Sequence, residues 1–263
     1  MKDLQGKVAI VTGSSSGVGA ATAKLLASQG CRVVINYNSN VAGADATLEE
    51  CEKLGGDGIV VQGDVSLDSD CITMAQAAED SWGRIDILVN NAGTTKFVDH
   101  GDLGGLNAGD FQRIYGVNVL GAFQMTRAVT ESMNSQKEGG AVVNVASTAA
   151  LTGIGSSIAY AASKGALVTM TLSLARVLGP GVRVNAVCPG FIEGEWLSEG
   201  LGQEKYAALM KANRDSAPLG VTATADTVAE AILYFITGPS AVTGETLIVD
   251  GGKHLTQTPL VRR

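Results

Sequence analysis

The sequence is poor in the residues that would make it a metal, disulfide or nucleic-acid protein. It holds 4 cysteines and 2 histidines. Cys31, Cys51, Cys71 and Cys188 lie far apart, form no CxxC pair and have no histidine cluster beside them. Neither a zinc site nor a disulfide framework is expected, and a reducing cytoplasm is the simple reading. Basic runs are missing too: nothing longer than Arg262-Arg263 occurs, and the net charge is -7. Phosphate-tracking surfaces draw their affinity from clustered Lys and Arg, which excludes a nucleic-acid partner. All 5 prolines fall from Pro180 onward, so no Pro-rich linker divides the earlier part of the chain. Met1-Lys2-Asp3-Leu4-Gln5-Gly6-Lys7 carries no apolar secretory stretch. The most apolar region, residues 141–178, is interrupted by Asn144, Ser147, Tyr160, Lys164 and Arg176, which makes it core and not a membrane span.

What the chain does have is material for a large core: 263 residues, 45% hydrophobic and 17% charged. Its 34 glycines follow no fixed period and punctuate turns. Short β-branched runs begin at Val8, Arg32, Gly58, Ile85, Ala141, Val182 and Thr246. Helical stretches are expected near 17–29, 41–53, 68–82, 110–136, 158–178, 203–213 and 225–237. Continuous apolar runs indicate strands covered on both faces. The expected fold is α/β: a Rossmann-type, doubly wound, seven-stranded parallel sheet in three α/β/α layers. One domain over 1–263 is expected. Residues 191–218 break the rhythm after the sixth strand, where a substrate lid would sit.

The first strand empties into Thr12-Gly13-Ser14-Ser15-Ser16-Gly17-Val18-Gly19, and a helix follows at once. Glycines let the backbone approach a pyrophosphate, and the positive end of the helix dipole favours the anion. Three residues separate the first two glycines. That spacing resembles the short-chain dehydrogenase/reductase family, in its short, single-domain, 3-oxoacyl-reductase-like form. The resemblance runs on through Asp64-Val65, Asn90-Asn91-Ala92-Gly93, Asn118, Ser147, Tyr160 with Lys164, and Pro189-Gly190.

By that resemblance Gly13, Ser15, Ser16, Gly17, Val18 and Gly19 cradle the dinucleotide. Asp64 and Val65 hold its adenine, while Asn91, Ala92, Gly93, Pro189, Gly190 and Ile192 line the groove. Where relatives carry a threonine for the nicotinamide carboxamide this chain has Gly194, and the backbone at Ile192 is the expected contact. Cofactor choice rests on the end of strand two, where a carboxylate would bond the ribose of NAD and repel the extra phosphate of NADP. Tyr37, Asn38 and Ser39 stand there instead, with no acid before Asp45. NADP(H) is favoured, and NAD(H) stays open.

Tyr160 and Lys164 are four apart and share a helix face. A tyrosine titrates near 10, and lowering it by about three units asks for about 4 kcal/mol, which a close ammonium is expected to help supply. Ser147, just past the fifth strand, can donate to a carbonyl that gains negative charge. The resemblance implies that Tyr160 is the general acid/base, that Lys164 also holds the nicotinamide ribose, and that Asn118 organises a proton-relaying water. The expected activity is hydride transfer between nicotinamide and a carbonyl or secondary alcohol. A non-catalytic NADP-binding sensor or scaffold of the same fold is the alternative. Thr95, Lys96, Phe97, residues 148–154, Trp196 and Leu197 are the expected substrate lining. The substrate is a ketone, 3-oxoacyl compound, sugar or steroid, and carrier-protein docking is disfavoured by the absence of a basic patch around Glu131, Lys137 and Glu138. A homotetramer or homodimer is implied, with Ala159, Ala161, Ala162, Ser163, Gly165 and Ala166 offering a close helix contact and Lys253–Arg263 joining it.

Overall fold

The computed structural model describes residues 3–256, the side chains of Glu195 and Trp196 excepted. Within that range seven strands form one parallel sheet: β1 (Val8–Val11), β2 (Arg32–Tyr37), β3 (Asp57–Gln62), β4 (Ile87–Asn90), β5 (Gly140–Val145), β6 (Val182–Pro189) and β7 (Thr246–Val249). Their order is β3-β2-β1-β4-β5-β6-β7. The connection reverses direction between β1 and β4, which opens a crevice at the carboxyl edge of those strands.

Ten α-helices flank the sheet: α1 (Gly17–Ser28), α2 (Val41–Lys53), α3 (Asp68–Trp82), α4 (Ala108–Tyr115), α5 (Ala122–Ser135), α6 (Ala149–Thr152), α7 (Ile158–Leu178), α8 (Glu195–Leu201), α9 (Gln203–Ser216) and α10 (Ala225–Thr237). Alternation along the strands builds two cores. Ala9 and Val11 face α1, α2 and α10 with Leu26, Cys51 and Ile232. Val8 and Ile10 face α3, α5 and α7 with Met74, Met125 and Leu174. The period-two pleat explains why every residue of β1 is buried, since both faces are covered.

Several helix starts are fixed by side chains. The Asn40 side chain accepts from Gly43 N, Ser157 accepts from Tyr160 N, and Thr224 with Thr227 forms a capping box. Two expectations change. The helix anticipated over 110–136 begins earlier and is broken by a π-helical segment at Gly116–Gly121, and the short α6 and α8 are additional. Helix α7 is, by length and apolarity alone, long enough to cross a membrane. Here Ala159, Ser163, Leu167 and Thr171 bury one of its faces in the fold.

Candidate active site

The glycine turn is shaped by its neighbours. Gly13 has φ +61, and a Cβ there would lie 3.0 Å from Ala92 Cα. A Cβ at Gly19 would meet Gly13 O at 2.4 Å and Asn91 Nδ2 at 2.5 Å. Asn91 Nδ2 donates to Thr12 O and Gly13 O at 2.9 and 3.0 Å, and the Asn91 and Ala92 amides donate to Thr12 Oγ1. The turn after β1 and the turn after β4 are thus one rigid unit. Gly17, at φ +55, has nothing within 4 Å of where a Cβ would be. Ser16 precedes α1 without a side-chain cap bond, so the first amides of α1 are left for an anion.

Gly13, Ser15, Ser16, Gly17, Val18, Asn38, Ser39, Asp64, Val65, Asn91, Ala92 and Gly93 line one cleft with Ser147, Tyr160, Lys164, Pro189, Gly190 and Ile192. Its volume is about 1920 Å³. Gly19 serves packing beneath the cleft. Tyr37 is not in the lining and packs against the α1–α2 core. Asn90 is also withdrawn: its amide donates to Ala122 O, Thr126 Oγ1 and Asn144 Oδ1. Asn36 was unanticipated. It takes Gly13 N on Oδ1 at 2.9 Å and gives Nδ2 to Gly63 O at 3.0 Å, tying three strand ends together.

Ser147 follows β5, and its Oγ takes the amide of Ala149 at 3.1 Å. It lines the same cleft as Tyr160 and acts to hold the Tyr160 pKa down. Lys164, one turn beyond Tyr160 on α7, is 4% exposed and donates to Val145 O at 2.7 Å. Its Nζ is 5.7 Å from the Tyr160 ring centroid. Asn118 sits inside the π segment. It accepts from Thr94 N at 2.8 Å and donates to Thr94 O and Ser163 Oγ, each at 3.0 Å. Asn118 and Lys164 meet at Gly93, whose Cβ position lies 3.5 Å from Asn118 Oδ1 and 3.7 Å from Lys164 Nζ, and Ser147 and Tyr160 line the same cleft as Gly93 and Lys164.

A family model described as "Enoyl-(Acyl carrier protein) reductase" matches residues 13–254. The "Granaticin polyketide synthase putative ketoacyl reductase 2" of Streptomyces violaceoruber is 40% identical, covering 94% of this chain and 96% of its own. A solved structure titled "putative short-chain dehydrogenase/reductase" from Burkholderia xenovorans superposes with a TM-score of 0.87 at 36% identity, over 95% of this chain and 98% of that one. The chain belongs to the short-chain dehydrogenase/reductase family. Another relative in this oxidoreductase family is the 3-oxoacyl-[acyl-carrier-protein] reductase of Synechocystis sp., 36% identical over 96% of this chain and 98% of that protein.

The protonation states of this short-chain dehydrogenase/reductase site differ from expectation. Loss of hydration pushes Tyr160 up to about 12, against the opposing Ser147 hydrogen bond. Burial pulls Lys164 down to about 8. The expected lowering of Tyr160 by Lys164 is thus not what this site shows, because desolvation dominates and the ammonium points to Val145 O. Tyr160 rests as a phenol, the form that donates a proton. Burial likewise pushes the thiols of Cys31, Cys51, Cys71 and Cys188 up to about 12, 11, 12 and 11, so none is an activated nucleophile.

Of the expected substrate lining, Phe97, Thr148, Thr152, Ile154 and Leu197 face the cleft. Lys96 instead pairs with Asp110 at 2.8 Å, and Thr95 bonds the Ser156 hydroxyl at 2.6 Å. The Trp196 side chain lies outside the described residues. Sequence reasoning missed His100, Lys205 and the segment Asp250–His254, which also line the cleft. No local motif marks them, because helix register and the β7 end bring them there.

Proposed function

We propose that this oxidoreductase is an NADP(H)-preferring enzyme acting on a carbonyl or secondary alcohol, with Tyr160 as its general acid/base. The observation that carries the reading is the pair of hydroxyls, Ser147 and Tyr160, lining the same cleft as Lys164 and the uncapped start of α1. The fit to a dinucleotide rests on the glycine positions, whose missing Cβ atoms leave backbone open to a pyrophosphate. When bound, the nicotinamide supplies or accepts the hydride. Ser147 and Tyr160 converge on the carbonyl oxygen and donate more strongly as it gains charge. Tyr160 gives up its proton to that oxygen. Lys164 holds the ribose and, as an ammonium, stabilises the phenolate left on Tyr160, which regains its proton from solvent by way of the Asn118–Lys164 side of the cleft, where Asn118 fixes Thr94 and Ser163.

Two features support the cofactor preference. Strand β2 ends without a carboxylate, and Asn38, Ser39 and Asn40 line that end of the cleft as neutral donors, while the nearby Asp64 carboxylate is engaged by Asn38 Nδ2 at 3.5 Å. The substrate class is a ketone or 3-oxoacyl compound, the chemistry in the names of the Streptomyces and Synechocystis relatives. Residues 191–218 act as the lid of a single domain. Ile192 bridges Ala223, and the Glu193 carboxylate accepts from Thr222 and Arg214. The working form is a cytoplasmic homodimer or homotetramer. Of the small residues expected at the contact, Ala159, Ala161 and Ser163 are buried within the chain, and the contact is assigned to the outer faces of α5 and α7.

The test is oxidation of NADPH and NADH, followed by absorbance, with a panel of ketones, aldehydes and 3-oxoesters beside Tyr160→Phe. Turnover with NADPH that disappears in the variant supports the reading. Tight NADPH binding without turnover across the panel would favour the sensor.

A further inference from the structure

Strand β7 ends at Val249, and Asp250, which is 8% exposed, opens a tight turn after it. Its Oδ1 accepts Gly252 N at 2.9 Å and its Oδ2 accepts His254 N at 2.8 Å. The imidazole of His254 is bound to the same carboxylate, Nδ1 lying 2.9 and 3.0 Å from the two oxygens. A buried carboxylate that already receives two backbone amides acts as acceptor for Nδ1–H. That sets the tautomer and makes Nε2, across the ring, a hydrogen-bond acceptor.

The turn is held on two sides. Leu219 N donates to Gly251 O at 3.1 Å, and Lys253 Nζ donates to Ser216 Oγ at the end of α9. On the sheet side, a Cβ at Gly190 would lie 2.6 Å from Asp250 Cβ. Gly190 follows Pro189, whose carbonyl accepts from Thr148 N and from Ser147 Oγ. His254 lines the same cleft as Ser147 and Tyr160. β7 lies two strands from β5 in the sheet, so the turn that carries His254 borders the cleft away from the Ser147 end.

We propose that His254, oriented by Asp250, determines specificity by accepting a hydrogen bond from a hydroxyl that the substrate carries remote from its reacting carbonyl. The preferred substrate class is then a hydroxylated ketone, and this inference rests on the carbonyl reading above. The imidazole side chain is 32% exposed, so its discrimination against an analogue that lacks the hydroxyl is limited to the net worth of one partly solvated hydrogen bond, up to about tenfold.

The experiment uses methyl ketones of increasing chain length, each with and without a terminal hydroxyl, and reads the ratio of kcat/KM within each pair. At the length that reaches His254, the hydroxylated member is expected to lead by about tenfold, the worth of one hydrogen bond. The ratio collapses towards one in His254→Phe. His254→Leu, which likewise lacks an acceptor, serves if the first variant fails to fold. A wild-type ratio near one at every length, or a ratio that survives both substitutions, overturns the proposal. If no ketone is turned over, calorimetric binding of the same pairs to the NADPH-saturated protein separates the two ideas. A binding preference lost in the variant keeps the role of His254 while the reductase reading falls, and equal binding sinks the role itself.

Discussion

In the proposed mechanism Tyr160 and Ser147 share one carbonyl oxygen between two hydroxyls, and mutation should separate their contributions. Tyr160→Phe removes the proton donor and is expected to lower kcat by about 10²–10⁴, the range for a lost general acid. Ser147→Ala removes one transition-state donor and should cost about 10²–10³. Fluorescence titration should show NADPH binding nearly unchanged in both, and a large loss of binding would reassign the residues to structure. Lys164 carries a pH prediction. Its folded value, about 8, lies below the ordinary 10.5, so the ammonium that holds the ribose is present below about 8 and lost above it. The kcat/KM for NADPH, which reports the free enzyme, should therefore fall as pH rises through about 8. A profile flat to pH 10 would contradict that assignment. Much at this scale was legible beforehand, since the Tyr160–Lys164 spacing fixes a helix face and Ser147 follows a strand. The Asp250–His254 pair was not, because its place beside Gly190 depends on the pairing of Pro189 with Val249.

At the scale of elements, glycines decide how closely segments approach. Gly19→Ala would drive a Cβ into Gly13 O and Asn91 Nδ2, both pinned by their own hydrogen bonds, so α1 must shift away from its turn. Calorimetry should find NADPH affinity reduced at least tenfold and Tm lowered. Gly17→Ala meets no protein neighbour and strains a left-handed backbone, at about 1 kcal/mol, while its Cβ would face the pyrophosphate side of the cleft. Equal losses of Tm in the two variants would refute the packing argument. The sequence pattern predicts helices near these glycines, yet it hides the π segment. Gly121 is pressed against Val65, whose Cγ2 lies 2.7 Å from the Cβ position, and Asn118 is held on Thr94. Both constraints come from residues far away in the chain, where a local helical period carries no information.

Across the whole molecule, alternating strand residues feed two separate cores, so the doubly wound sheet follows from apolar runs and connection lengths. What those runs leave open is the outer surface of α5 and α7. There Phe123 and Val177 are 39% and 70% exposed, in a groove that also contains Arg127 and Glu131. Apolar side chains ringed by charge mark an association surface. Arg127 and Glu131 are one turn apart on α5, so an antiparallel second copy would place each against its opposite, a self-complementary arrangement that suits a two-fold axis. Sedimentation at micromolar protein should therefore show a dimer or tetramer. Val177→Glu, placed on the outer face, should shift it towards smaller species without lowering the Tm of the separated chain. Exchanging the charges singly, as Arg127→Glu, should weaken association, and the double exchange Arg127→Glu with Glu131→Arg should restore it. A wild-type monomer, or single and double variants that associate equally well, would remove this face from the assembly.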